Sequence, residues 1–264
     1  KKGITICASA AEDLPIMNTT RHEFATMYSV FFWNKDLGFV KRRRNYQTTI
    51  QRSMEELEEL LKKYNLNHLE DLIASPWSEQ YCVTPFPKYW QITYQIMSKI
   101  SSNKRVVEIG CGQGDVTAIF CQLGFSRVSS YEKDPLLAVN AKGRLNDLFG
   151  REDIVSFGEY PAICHTECDV LVLVNCVYDE LADSKVGYKK ILKDYYKHAG
   201  NPQYFIMEVI DNSYTIEDEV FPKNLRLSHM DVEEMFPNCQ IQSWQTYKYP
   251  QNKKSKTLYL IEKK

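Results

Sequence analysis

No apolar run among the 264 residues approaches the roughly 20 needed to cross a bilayer, so no membrane-spanning helix is expected. The first residues lack the apolar core of a secretion signal. Charge imbalance is missing too: the formal net charge is −1, and no long-range field draws the chain to nucleic acid or to a membrane. Lys41, Arg42, Arg43 and Arg44 form the only uninterrupted run of four basic residues. Such runs are usually a solvated face, the other reading being a site for an acidic substrate. Of the 8 cysteines only Cys164 and Cys168 lie close together, with His165 between them. A second ligand pair at suitable spacing is absent, so no metal site is expected, and reduced thiols in a cytoplasmic protein are the plainer reading. There is no internal repeat and no low-complexity tract.

The stretch around which the rest is organised is 105–117. Val106, Val107 and Ile109 make a short apolar run of strand type; Gly110, Cys111, Gly112, Gln113 and Gly114 break it. Val116, Ile119, Phe120 and Leu123 then recur at helical spacing. Strand, glycine turn and helix together suit a nucleotide-like ligand, because glycine reaches positive φ and lets the backbone approach closely. The dinucleotide fingerprint wants a third glycine where this chain has Asp115, an acid in the place a pyrophosphate would occupy. Glu108 stands inside the strand, just before the turn.

The pattern Glu108-x-Gly110-x-Gly112-x-Gly114 resembles the first motif of the class I S-adenosylmethionine (AdoMet)-dependent methyltransferases. The resemblance implies that Gly110, Cys111, Gly112 and Gly114 pack against the methionine part of AdoMet, with Glu108 suiting its positive groups or the backbone that holds them.

Downstream the chain alternates. Strands are predicted over 127–131, 154–157, 169–175 and 204–210, with helices over 136–149 and 186–198. The unbroken apolar run of 169–175 signals burial on both faces, as in a parallel sheet. After a short helix over 230–236, strands over 241–249 and 257–261 share a short polar connection and must pair antiparallel. The expected architecture is α/β: a Rossmann-like, mostly parallel seven-stranded sheet with an antiparallel C-terminal strand, over 92–264. This order resembles the class I methyltransferase fold as well. Residues 1–91 are expected to form a helical N-terminal cap. There a helix runs from Thr20 through Phe24, Met27, Tyr28 and Phe31, and a break follows over 33–38. Further helices start at Ser53 (N-cap, Glu56 three residues on), at 67–74 and at 91–100.

In an open parallel sheet the ligand sits outside the carboxyl ends of the strands, so the strand ends carry the candidates. The second strand ends at Glu132; the family resemblance gives the matching acid to the AdoMet ribose, with Lys133 flanking the adenine. Glu159, after the third strand, can accept from the adenine amine, and Tyr160 can stack on it. The fourth strand ends at Asn175, a place that the resemblance puts beside the sulfonium. Tyr178 can wall the acceptor pocket, and Asp179 can bind an ammonium or take its proton. Asn175 and Tyr178 keep the interval of the Asn-Pro-Pro-Tyr motif of amide and ring-amine methyltransferases, but both prolines are missing, so that substrate class is not assigned. Asp211 can reach an acceptor, and His229 is a candidate general base. Trp33, Tyr81 and Trp90 of the cap are candidates to enclose the substrate.

The expected activity is methyl transfer from AdoMet to a nitrogen or oxygen of a small molecule or natural product. Alternatives are a peptide or protein amine methyltransferase and, from another class, a non-catalytic AdoMet-fold binding subunit. The expected partner is a small molecule or short peptide, with neither nucleic acid nor membrane.

Overall fold

The structure, a computed structural model, describes residues 31–34, 38–41, 46–69, 76–162, 167–177, 182–214, 221–246 and 256–264. The chain divides into two compact units, Lys1–Ser53 and Met54–Lys264.

In the first unit β1 (Phe31–Asn34) pairs antiparallel with β2 (Gly38–Lys41), Phe31 lying opposite Lys41 and Asn34 opposite Gly38. This corrects the helix drawn through Phe31 and the break over 33–38. Phe31, Phe32 and Trp33 are aromatic residues of the kind enriched in strands, and three of them in succession favour a strand over the helical spacing of the aromatics before them. Trp33 therefore lies on a hairpin strand. Lys41 closes β2, and the rest of the basic run lies outside the described residues. The helix α1 (Tyr46–Asn67) also begins well before the expected cap at Ser53. Neither proline nor glycine interrupts 46–53, so the Ser-x-x-Glu signature falls inside the helix.

The second unit follows α1 with α2 (Pro76–Glu79), α3 (Lys88–Met97), β3 (Arg105–Ile109), α4 (Thr117–Gln122), β4 (Arg127–Glu132), α5 (Pro135–Phe149) and β5 (Val155–Phe157). After these come β6 (Val170–Leu173), α6 (Lys185–His198), β7 (Tyr204–Ile210), α7 (His229–Met235), β8 (Cys239–Thr246) and β9 (Lys256–Lys263). The sheet order is β5-β4-β3-β6-β7-β9-β8. The first five strands are parallel, and β9 enters antiparallel between β7 and β8. Chain order reverses between β3 and β6, so a crevice opens at their carboxyl ends.

Strand alternation sorts the core into two faces. Val107, Ile109, Leu171, Leu173, Phe205, Met207 and Tyr259 pack with Tyr188 and Leu192 of α6 and with Val232 and Met235 of α7. The other face carries Val106, Val170, Val172 and Ile206, all fully buried, together with the polar Glu108, Ser130 and Glu208. Polar side chains buried within a sheet need partners, and those partners define the site. The start of α5 shows how local chemistry aims an element. Asp134 accepts from the Leu136 and Leu137 amides (2.8 and 3.1 Å), and Pro135 fills the first helical position.

Candidate functional site

The turn after β3 holds Gly110, Gly112 and Gly114 at φ of 67°, 55° and 82°. All three lie in the left-handed region that side chains resist. The Gly110 and Cys111 amides both donate to the Tyr131 carbonyl at the end of β4 (2.8 and 3.1 Å), which folds the turn back over the sheet edge. A Cβ on Gly110 would lie 2.7 Å from the Cys176 Cβ, and one on Gly114 would lie 3.3 Å from Leu145 Cδ1 of α5. Two neighbours thus enter the space that these glycines leave free.

Glu132 closes the other side. Its Oε2 accepts from the Gly112 amide (2.7 Å) and its Oε1 from the Asp134 amide (3.0 Å), so one buried carboxylate spans from the glycine turn to the start of α5. Lys133 and Glu159 are exposed beside it. Tyr160 turns the other way. Its ring is buried against Tyr131, Tyr195 and His198 (centroids 5.8, 5.5 and 5.5 Å), so α6 takes up the face expected to stack on adenine.

Glu108 points into the sheet, not into the crevice. Thr117 Oγ1 and Ser130 Oγ both donate to its Oε2 (2.6 and 2.7 Å). Burial raises its pKa to about 7, against those two hydrogen bonds and with help from the charges of Asp115 and Glu132. It ties β3, β4 and α4 together beneath the turn.

Asp115, the residue that denies the dinucleotide fingerprint, is a second tie. Arg144 of α5 donates from Nη1 to Asp115 Oδ1 (2.7 Å) and to the Gln113 carbonyl (3.1 Å), and Trp90 of α3 donates its indole N–H to the Asp115 carbonyl (2.8 Å). Trp90 is fully buried, so its expected place as a substrate wall gives way to a core role under the turn. Tyr81 is buried as well; its hydroxyl pairs with that of Tyr89 (2.8 Å), which also receives Gln80 Nε2 (3.0 Å). Burial raises the pKa of both phenols, keeping them neutral. Trp90→Phe should cost about 2 kcal/mol, since it leaves the Asp115 carbonyl buried and unpaired. Urea unfolding of the two proteins measures it, and equal midpoints and slopes would remove Trp90 from this role.

At the end of β6 the chain makes an abrupt turn. Asn175 and Val177 have φ of 55° and 57°; the second is costly for a β-branched residue. Cys176 between them donates its thiol to the Ile109 carbonyl (2.9 Å) and packs on Gly110. Burial pushes the thiols of Cys176 and Cys111 well up, so both are protonated and unsuited to nucleophilic work. Lys256, the first residue of β9, donates to Asn175 Oδ1 (2.6 Å) and lies 3.6 Å from Glu208 Oε2. Thr246 Oγ1 donates to Glu208 Oε1 (2.5 Å). Lys256 and Glu208 are both buried, and burial lowers the lysine pKa, against the pull of Glu208 and Cys176. That Lys256 would meet Asn175 was not legible in advance.

The other candidates are dispersed. Tyr178 and Asp179 lie outside the described residues. Asp211 follows β7 and is buried, held by the Ser213 amide (2.8 Å) and by Thr257 Oγ1 (2.8 Å), so its carboxylate braces the loop. His229 is not brought to the turn. It sits half-exposed in the first turn of α7, 3.4 Å from Glu233, and stacks on Tyr259 on the face that α6 and α7 cover. No cluster of metal-ligating side chains occurs among the described residues, and no helix there is long and apolar enough to cross a membrane.

No protein-family model and no curated protein sequence matches the chain. Among solved structures it is similar to the CcbJ methyltransferase from Streptomyces caelestis (10% identity, TM-score 0.51, covering 68% of this chain and 90% of that one). It is similar also to TehB from Haemophilus influenzae (16% identity, TM-score 0.50, covering 71% of this chain and 66% of that one). In strand order, in the antiparallel entry of β9 and in these likenesses, the chain has the class I methyltransferase fold.

Proposed function

We propose that the chain is an AdoMet-dependent methyltransferase acting on a nitrogen or oxygen of a small molecule. The observation that carries this reading is the turn at the switch point of the sheet. Three glycines there take positive φ, and Glu132 stands 2.7 Å from the middle one. A side chain at Gly110 would strike Cys176 and force the turn apart, and Asp115 stands where the dinucleotide fingerprint has its third glycine. Gly110, Cys111, Gly112 and Gly114 hold the methionine part. Glu132 is placed to accept from ribose hydroxyls with the lone pairs that its two amide partners leave. Lys133 and Glu159 border the adenine, and Asn175 borders the sulfur.

AdoMet, when bound, supplies a methyl group already activated on a sulfonium. The work left to the chain is to align an acceptor in line with that group and to exclude water. Asn175 can orient a ligand by hydrogen bonding; Tyr178 and Asp179, next along the chain, are the residues to test for walling the acceptor and taking its proton. A net charge of −1 argues against a nucleic-acid acceptor. The thiols of Cys82, Cys111, Cys121, Cys168, Cys176 and Cys239 are free, which suits a reducing cytoplasm.

Titration calorimetry with AdoMet and with S-adenosylhomocysteine tests the reading. Both should bind, and Glu132→Ala should weaken binding by about tenfold or more, the loss of one charge-assisted pair of hydrogen bonds. Absence of binding by the intact chain would sink the proposal; unchanged affinity in the variant would release Glu132 from it. Transfer of a labelled methyl group to a small-molecule fraction, and not to protein or RNA, tests the acceptor class.

A further inference from the structure

Lys256 meets the loop after β6 through a side-chain hydrogen bond to Asn175, and it comes from the far end of the chain. A buried ammonium is expensive; for stability alone an apolar residue packed against a neutral partner of Glu208 would serve as well or better. Its position is what distinguishes it. An ammonium only donates, so the atom it meets at 2.6 Å must be the Asn175 carbonyl oxygen, and this fixes which way the carboxamide faces. The N–H₂ side is then turned away from Lys256, and Asn175 is only half-buried. The backbone there is strained, with Asn175 and Val177 both in the left-handed region. Such strain persists only where the surroundings over-determine it. Cys176, wedged on Gly110, is one restraint, and Lys256 is the other. Glu208, held in turn by Thr246, supplies the countercharge.

We propose that Lys256 is a positioning residue: it orients the Asn175 carboxamide so that its N–H₂ group faces the bound cofactor and acceptor, and it holds the loop after β6 against the glycine turn. The group that meets Asn175 is then a hydrogen-bond acceptor. The inference rests on the AdoMet reading above and deepens it.

The test measures S-adenosylhomocysteine affinity and melting temperature together. Lys256→Met is made with Glu208→Gln, so that no lone charge is buried. Asn175→Ala is made in the wild-type protein, and again together with the Lys256→Met, Glu208→Gln pair. Lys256→Gln, which keeps a donor, is likewise made with Glu208→Gln. Expected are a loss of about tenfold for Lys256→Met, a similar or larger loss for Asn175→Ala, and no further loss when the two are combined. Lys256→Gln should recover most of the affinity. Losses that multiply, or affinity unchanged while melting falls, would show a merely structural lysine and overturn the proposal. Wild type that binds no S-adenosylhomocysteine overturns this inference together with the AdoMet reading. Wild type that binds, with a Lys256→Met, Glu208→Gln protein that binds equally well, overturns this inference alone.

Discussion

Gly110→Ala is expected to lower AdoMet affinity on the order of 100-fold and to destabilise the fold by about 3 kcal/mol. Two costs combine. The backbone at φ 67° is left-handed, and a Cβ there adds a kilocalorie or two of steric conflict with its own chain. That same Cβ would sit 2.7 Å from the Cys176 Cβ and 3.1 Å from its sulfur. Atoms do not share that space, so the turn and the loop after β6 must part. The cysteine has little room to yield, since its thiol is bonded to the Ile109 carbonyl and its two neighbours are already in a strained conformation. Parting them moves the glycine turn relative to Asn175, and both belong to the proposed cofactor site. The pairing is open to a reciprocal test. Cys176→Ala in the Gly110→Ala background should restore little, because the offending Cβ remains. Cys176→Gly should restore a clear part of both stability and affinity. Equal behaviour of these two double variants in calorimetry and urea unfolding would refute the wedge.

What was legible in the sequence is what the backbone itself demands. Gly110, Gly112 and Gly114 can be read as a turn because only glycine takes those dihedrals easily, and their place after an apolar run fixes the strand. The buried run at Val170–Leu173 announces a central parallel strand for the same kind of reason. The polar partners were not legible, because they meet through tertiary packing. Arg144 lies inside the helix predicted over 136–149, and nothing in that pattern shows that it reaches back to the turn. Lys256 lies in the short polar connection before the strand predicted over 257–261, and its partner Asn175 is 81 residues away in sequence. For Trp90, Tyr160 and His229 the residue type suited a pocket, but the face on which each sits decides the outcome: the first two point into packed core, the third outwards. The hairpin of β1 and β2 was missed because aromatic spacing alone does not separate helix from strand in a short run.

A common design links these residues. The turn 110–114 has almost no regular structure of its own, and each of its parts is held by a different element. The loop after β6 wedges Gly110 through Cys176, the end of β4 holds the Gly112 amide, α5 packs on Gly114 and grips Asp115 through Arg144, and α3 holds the Asp115 carbonyl through Trp90. A binding loop fixed this way loses little freedom when a ligand arrives, which favours affinity without many direct contacts. It also makes the proposed cofactor site sensitive to substitutions that touch no ligand, Trp90→Phe and the Lys256 series among them.

Glu108 gives that frame a pH dependence. Burial raises its pKa from an ordinary 4.5 to about 7; the hydroxyls of Thr117 and Ser130 pull it down, and the nearby acids push it further up. Between those two values the folded chain holds a proton that the unfolded chain has released. Unfolding free energy therefore falls as pH rises through this window: the contribution is complete below the unfolded pKa and lost above the folded one. The loss is about 3 kcal/mol, a substantial part of the stability of an ordinary domain. Glu108→Gln removes the titration while keeping the shape and an oxygen that accepts from Thr117 and Ser130. The expected result is a difference in unfolding free energy between the two proteins that shifts by about 3 kcal/mol in favour of the variant from about pH 4 to about pH 8. Urea denaturation at intervals across that range measures it. Curves that stay parallel would mean that Glu108 ionises in the fold as it does in the unfolded chain, and that the carboxylate beneath the glycine turn is charged at every pH at which the protein works.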